Sequence, residues 1–198
     1  MQRSLLLLDT DIVSLMGRQR PPPGLRSWLI RVGTERLGIC FPVFTELLRG
    51  AYLLQDRDPD RASAIIRWVA NITATDFNSP EMGSEVADVY ARMTSVPALR
   101  KMWTTHRSEK RNRLGHDLMI AALSITHDAP IITANAKDYV RINEWFPLPG
   151  VYHPMQSRWH VAPDHHIPLP PYDELEASQL PDALPIVREE EYRFSAAF

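Results

Sequence analysis

The sequence predicts an α/β fold with a central, mostly parallel sheet, and two patterns carry this prediction. Short, continuously apolar runs such as residues 5–8 lead straight into polar residues, which is typical of strands buried on both faces. Segments with helical spacing of apolar residues alternate with these runs, as in βαβ units. At 198 residues, of which 44% are hydrophobic, the chain suits one domain with a sizeable core.

The individual elements follow from this alternation. Strands are predicted at residues 5–8, 37–41 and 130–135, with a further short candidate at residues 74–77. Helical spacing covers residues 12–16, 25–32, 43–51, 62–72 and 84–103, and another helix starts near Asp117. Pro97 is expected to kink or split the longest of these helices.

Composition excludes several classes of function. The net charge is −2, so any nucleic-acid contact must come from a local basic patch rather than from the overall charge. Cys40 is the only cysteine, which excludes an internal disulfide and a cysteine-based zinc site. Residues 5–8 are too short for a signal peptide, and no apolar run approaches the ~20 residues that span a bilayer. We therefore expect a cytoplasmic protein without a membrane anchor.

Four acids lie at the ends of predicted strands or near the starts of predicted helices: Asp9, Glu46, Asp117 and Asp138. The carboxyl ends of parallel strands share one edge of the sheet, where ligand crevices usually lie. Hard oxygen ligands suit Mg²⁺ or Mn²⁺, and such an ion would relieve the mutual repulsion of gathered carboxylates. Acids at these positions are also common as helix caps and first-turn residues. Spacing alone leaves both interpretations open.

Four segments, taken in this order and with these intervals, resemble the motifs of PIN-domain ribonucleases of the VapC toxin type. They are LLDTD at 7–11, TELLRGA at 45–51, DLMIAA at 117–122 and ITANAKDY at 132–139. The resemblance covers residues 1 to about 154. It implies a three-layer α/β/α PIN-like fold, usually a homodimer, and RNA cleavage by an activated water with Mg²⁺ or Mn²⁺. It also implies inhibition by a cognate antitoxin encoded beside the toxin.

The family's acids transfer to this sequence residue by residue. Asp9 matches the first acid, Glu46 the second and Asp117 the third. Family members place the fourth acid either where Asn135 stands or where Asp138 stands. Because Asn135 carries no charge, Asp138 is the predicted fourth catalytic and metal-binding residue, with Asn135 as its polar neighbour.

Other residues are assigned supporting roles by the same resemblance. Thr10 and Thr133 would orient water or the carboxylates, and Asp11 would either join them or cap the first helix. His116 is interpreted as a capping or surface residue rather than as a general acid. The basic segment before Asp117 would hold the RNA backbone, although a solvated loop explains its charge equally well. Its proposed RNA-binding residues are Arg107, Lys110, Arg111 and Arg113.

A proline-rich tail departs from the family pattern. The sequence predicts a nuclease domain at residues 1–154 and an extended arm at residues 155–198, because the arm is too rich in proline to build a core. We expect the arm to dock on its own domain or on a dimer mate. Its predicted apolar anchors are Tyr172, Leu175, Ile186, Val187, Tyr192 and Phe194.

The main functional prediction is an RNA endonuclease that acts as a toxin. One alternative is a catalytically silent PIN-like module that binds or regulates. The other is a nuclease of the same fold that acts on DNA.

Overall fold

The computed structural model describes residues 4–18, 20–104 and 115–175. Within them lies a five-stranded sheet with the strand order β2-β1-β3-β4-β5. Its strands are β1 (Leu6–Leu8), β2 (Leu37–Gly38), β3 (Ile131–Ile132), β4 (Val151–His153) and β5 (Arg158–Val161). The first four are mutually parallel where they pair, and β5 pairs with β4 in the antiparallel sense. The predicted mostly parallel sheet is therefore confirmed.

Helices flank this sheet in the three-layer α/β/α arrangement. They are α1 (Thr10–Met16), α2 (Leu25–Val32), α3 (Phe41–Leu54), α4 (Pro59–Thr73), α5 (Ser84–Ser95), α6 (His116–Thr126) and α7 (Lys137–Asn143). Every residue of β1 and β3 is fully buried, which requires cover on both faces of the sheet. Among the described helices, none has both the length and the apolar character needed to cross a bilayer.

The structure confirms one prediction about the helices and contradicts one about the strands. The helical segment at residues 84–103 is split at Pro97 as predicted, because α5 ends at Ser95 and a 3₁₀ segment runs over Pro97–Met102. Pro97 disfavours helical geometry at Val96, which is extended (φ −79°, ψ 118°). The strand predicted at residues 74–77 is wrong, since this region contributes only an isolated bridge between Gly38 and Asn78.

The sheet continues past residue 154, where the sequence placed the end of the domain. β5 is built from residues assigned to the arm, and its pairing with β4 completes one edge of the sheet. Beyond β5, Ile167 is buried in the core of the domain. The first part of the arm is therefore docked on its own chain.

The docked segment lies against α2 and the loop before it. The indole nitrogen of Trp28 donates to the carbonyl oxygen of Pro170 at 2.9 Å, and the Arg31 guanidinium donates to Pro171 O at 2.8 Å. The Tyr172 hydroxyl donates to Pro23 O, so this predicted anchor is confirmed. Leu175 is 88% exposed, so it is not an anchor. The remaining predicted anchors, Ile186, Val187, Tyr192 and Phe194, lie outside the described residues.

Candidate active site

The site forms where two neighbouring parallel strands end. Asp9 directly follows β1 and Thr133 directly follows β3, and the two strands are hydrogen-bonded neighbours. The backbone N–H of Asp9 donates to Ile132 O at 3.0 Å, and the Thr133 hydroxyl donates to Asp9 Oδ2 at 2.8 Å. Strand pairing thus brings together residues that are far apart in sequence.

Asp9 is held rigidly at the centre of this edge. It is the N-cap of α1, with Oδ1 accepting from the backbone N–H of Thr10 at 2.7 Å, and it is only 7% exposed. Burial, together with the nearby charges of Asp11 and Asp117, raises the pKa of Asp9 well above its usual value. The two interpretations of this acid, helix cap and site residue, are therefore compatible.

Asp11 also belongs to the site, and the idea that it caps the first helix is wrong. Its Oδ2 accepts from the backbone N–H of Ala134 at 2.9 Å and from the Thr133 hydroxyl at 3.2 Å. Its Oδ1 is buried and has no hydrogen-bond partner among the described residues. Burial raises the pKa of Asp11. A buried, unpaired carboxylate oxygen beside Asp9 is suited to a cation or an ordered water.

Asp117 approaches the same site from the first turn of α6. Its pKa is raised to about 6, first by burial and then by the charges of Asp138 and Glu46. Asp138 stands in the first turn of α7, which follows β3. The charges of Asp138 and Glu46 therefore both act on the Asp117 carboxyl.

Glu46 lies on the more open side of the site and contacts His116. The Nδ1 atom of His116 is 3.3 Å from Glu46 Oε2, and the His116 side chain is only 10% exposed. Burial acts to raise the pKa of Glu46, but His116 and the nearby Thr10 hydroxyl outweigh it, so the pKa is lowered. Interpreting His116 as a surface residue is therefore wrong, since it is largely buried and positions Glu46.

The supporting residues act in different ways. The backbone N–H of Asn135 donates to the Thr133 hydroxyl at 2.9 Å, while the residue itself is exposed. Thr10 supplies its backbone N–H to Asp9, and its buried hydroxyl favours the ionised form of Glu46 without forming a well-aligned hydrogen bond. Thr133 links the two acids, because its hydroxyl contacts both Asp9 and Asp11.

The predicted RNA-binding residues Arg107, Lys110, Arg111 and Arg113 lie outside the described residues. Their role stays a prediction. The described chain on either side of them ends at Thr104 and resumes at Gly115, immediately before α6.

The carboxylate oxygens of the site are chemically suited to bind a hard divalent cation. Asp9, Asp11, Asp117, Asp138 and Glu46 offer only oxygen ligands, which Mg²⁺ and Mn²⁺ prefer. Burial and the neighbouring carboxylates outweigh the groups that lower the pKa of Asp9 and Asp117, so the pKa of each acid is raised. Within residues 4–18, 20–104 and 115–175, no three Asp, Glu, His or Cys side chains enclose a metal position as they stand. Binding would therefore need side-chain shifts or bridging waters.

Comparison with known proteins gives one relative of clear similarity. No family model matches the chain. A ribonuclease VapC from Rickettsia bellii (strain RML369-C) is 34% identical over 141 residues, which cover 70% of this chain and 91% of the relative.

Solved structures of toxin–antitoxin complexes are also similar to this chain. VapBC-1 from nontypeable Haemophilus influenzae shows 24% identity and a TM-score of 0.49, over 71% of this chain and 93% of that chain. FitAcB from Neisseria gonorrhoeae shows 20% identity and a TM-score of 0.48, over 70% and 94%.

Proposed function

Because this chain belongs to the VapC ribonuclease family, we propose that it is a metal-dependent endoribonuclease that cleaves RNA phosphodiester bonds with an activated water. One observation carries the proposal. A buried Asp9 lies with the half-buried Asp11 and Asp117 at one edge of the sheet, where burial and mutual repulsion raise the pKa of the Asp9 carboxyl. Gathering ionised carboxylates away from water is unfavourable in free energy when no cation is present. We therefore expect this arrangement to serve the binding of a cation.

Asp9 and Asp117 would hold the ion, with Asp11, Asp138 and Glu46 contributing directly or through water. When bound, a divalent cation supplies positive charge to the phosphodiester and promotes ionisation of the attacking water. The Thr133 hydroxyl, fixed between Asp9 Oδ2 and Asp11 Oδ2, keeps both carboxylates in position.

Glu46 is the best candidate to take the proton from water. Its pKa is lowered, so it is ionised at neutral pH, and His116 orients its Oε2 atom. The other oxygen, Oε1, can accept the proton as the water oxygen attacks phosphorus in line. The bond between phosphorus and the 3′ oxygen then breaks, and the departing 3′ oxyanion takes a proton from solvent, which leaves a 3′-hydroxyl and a 5′-phosphate.

The biological role we propose is that of a toxin acting on RNA in the cytoplasm, paired with an antitoxin and assembled as a homodimer. The likeness of the four sequence motifs to VapC-type toxins supports this role. The two alternatives are a catalytically silent PIN-like module and a nuclease of the same fold that acts on DNA.

A cleavage assay on total cellular RNA tests the proposal. We expect discrete fragments with Mn²⁺ or Mg²⁺, none with EDTA, and none from Asp117→Asn, because this substitution removes a buried metal-binding charge. Asp88→Asn is the matched control, since Asp88 is an exposed acid on α5 that pairs with Arg92.

The alternatives predict different results in the same assay. Folded protein that cuts neither RNA nor DNA with either metal would favour the silent module. Cleavage of DNA in preference to RNA would favour the DNA nuclease.

A further inference from the structure

Two of the tryptophans in the described chain, Trp103 and Trp145, expose much of their surface. Trp103 is 36% exposed and Trp145 is 54% exposed, whereas Trp28 and Trp68 are buried in the core. Trp145 follows the far end of α7, one helix length away from the strand ends that carry the acids. Trp103 lies at the other end, beside the start of α6.

The position of Trp103 is fixed by a close approach to Gly115. A Cβ atom on Gly115 would lie 2.9 Å from the Cβ of Trp103 and 2.9 Å from the Tyr90 hydroxyl. Gly115 caps α6, whose first turn contains His116 and Asp117. Trp103 therefore packs against the turn that delivers one of the central acids of the site.

The backbone that carries Trp103 is anchored by buried neighbours and by hydrogen bonds. Leu99 and Met102, just before it, are buried in the core. The N–H of Trp103 donates to Arg100 O at 3.3 Å, and both the N–H and the hydroxyl of Thr104 donate to the same oxygen, at 3.1 and 2.7 Å. An exposed indole on an anchored backbone can bind a flat ligand with little loss of conformational entropy.

The acids near Trp103 make a contact with an uncharged part of the RNA favourable compared with a contact to its phosphates. A pocket rich in carboxylates repels a phosphate backbone, and a bound cation offsets this repulsion only locally. Unpaired RNA bases present flat aromatic faces, and proteins bind single-stranded RNA by stacking these faces on aromatic side chains. Stacking involves no net charge, so it works beside an acidic site.

We propose that the exposed indole of Trp103 stacks on a base of single-stranded RNA and so positions the strand at the carboxylate site. This inference rests on the RNA cleavage proposed above and names a substrate contact for it. Trp103 is a binding residue here, and it takes no part in the proton transfer.

RNA binding is measured by intrinsic fluorescence in the full-length chain carrying Asp117→Asn, which leaves the RNA probe uncut. The probe is a mixed-sequence single-stranded RNA oligonucleotide in the presence of Mg²⁺. We expect RNA to quench the fluorescence of this protein and of its Trp145→Phe derivative. The quenching should be largely lost in Trp103→Phe, because the stacked fluorophore is gone.

Affinity supplies a second readout. Trp103→Ala should weaken RNA binding roughly 5- to 150-fold, as expected for the loss of one stacked base, and Trp103→Phe should restore part of it. Trp145→Ala should leave affinity unchanged. Circular dichroism and thermal melts of each variant show whether it is folded, and Trp103→Phe, which keeps an aromatic ring, provides the result if the alanine variant unfolds.

The outcomes separate this inference from the proposed function. If the wild-type protein cuts RNA but Trp103→Phe retains full quenching and folded Trp103→Ala retains full affinity, the stacking role is wrong and the nuclease proposal stands. If the wild-type protein neither binds nor cuts RNA, both are overturned. Equal quenching by DNA with no cleavage of RNA would reject an RNA-specific role for this contact.

Discussion

At the scale of single residues, the raised pKa of Asp117 shows that its ionised form is unfavourable in the folded protein. Its pKa rises from the usual 3.8 to about 6 because it is buried and faces Asp138 and Glu46. The folded state therefore binds this proton more tightly than the unfolded state does. Between these two pKa values the free energy of unfolding should fall as pH rises, by at most about 3 kcal/mol from this group.

We accordingly predict that Asp117→Asn stabilises the metal-free protein at pH 8, because asparagine is neutral at every pH. In EDTA, chemical denaturation should show a higher free energy of unfolding for the variant at pH 8, and the gain should vanish near pH 4. Adding Mg²⁺ should stabilise the wild type more than the variant, since a ligand that binds only the folded state stabilises it. A gain that does not depend on pH would contradict this electrostatic account.

His116 provides a second prediction at this scale. If it orients Glu46 through the 3.3 Å contact between Nδ1 and Oε2, His116→Ala should lower kcat about 10-fold or more while leaving KM nearly unchanged. His116→Asn, whose amide can still reach the carboxylate, should recover part of the loss. The matched control is His127→Ala, because the His127 ring contacts the backbone oxygen of Glu81 at the other end of α6. A rise in KM alone would show that His116 contributes to substrate binding instead.

Some residues of the site could be predicted from the sequence and others could not, and the difference has a physical reason. Asp9 could be predicted because it directly follows an apolar strand, whereas Thr133 is assigned its role only through the resemblance of its motif to the family. Asp11 and His116 could not be predicted, because their assignment depends on the tertiary contacts with Ala134 and Glu46. The pattern of acids near helix starts is the same whether an acid caps the helix or faces a ligand.

At the scale of elements, the start of α6 depends on one glycine. Gly115 has φ +68°, a left-handed conformation that side chains rarely adopt, and a Cβ there would meet Trp103 and Tyr90 at 2.9 Å. We predict that Gly115→Ala lowers the free energy of unfolding by about 1–3 kcal/mol and reduces cleavage, because the helix start that carries Asp117 must shift.

Thermal melts and cleavage rates of Gly115→Ala check this prediction. Gly83→Ala is the matched control, since Gly83 precedes α5 and a Cβ there meets nothing within 4 Å. Equal effects of the two substitutions would rule out a special role for the turn at Gly115.

Element types were more predictable than their lengths. The helical spacing at residues 25–32 matches α2. The strands are shorter than predicted, because the apolar run at residues 37–41 turns into α3 at Phe41 and only Leu37 and Gly38 pair with β1. A continuous apolar run shows that residues are buried, but it does not show where ladder pairing stops.

At the scale of the whole molecule, the described part of the arm, residues 155–175, belongs to the folded domain. Its proline carbonyls accept hydrogen bonds from side chains on and near α2: Trp28 to Pro170, Arg31 to Pro171 and Arg36 to Pro168. Proline has no N–H to join a sheet, so the prolines of this segment dock through their carbonyls and their apolar surface. Residues 155–175 pack on the domain, and proline content could not indicate which surface they cover.

This docking leads to a prediction about truncation. Ending the chain after residue 166 removes the buried Ile167, the three proline carbonyl contacts and the Tyr172 hydrogen bond to Pro23. Net contributions of about 1 kcal/mol for each of the four hydrogen bonds, together with burial of Ile167, sum to roughly 5–7 kcal/mol. Because 1 kcal/mol shifts Tm by about 2–4 °C in a domain of this size, the melting temperature should fall by roughly 10 °C or more.

Ending the chain after residue 175 keeps all of these contacts and is the matched control, so its Tm should stay near that of the full chain. Tyr172→Phe in the full-length protein isolates a single bond and should cost only about 1 kcal/mol. If the chain ending at residue 166 melted together with the chain ending at residue 175, docking would contribute nothing to stability. If the segment against α2 is part of the folded domain, each removed contact lowers the same unfolding free energy. The loss should then be small for Tyr172→Phe and largest for the chain ending at residue 166.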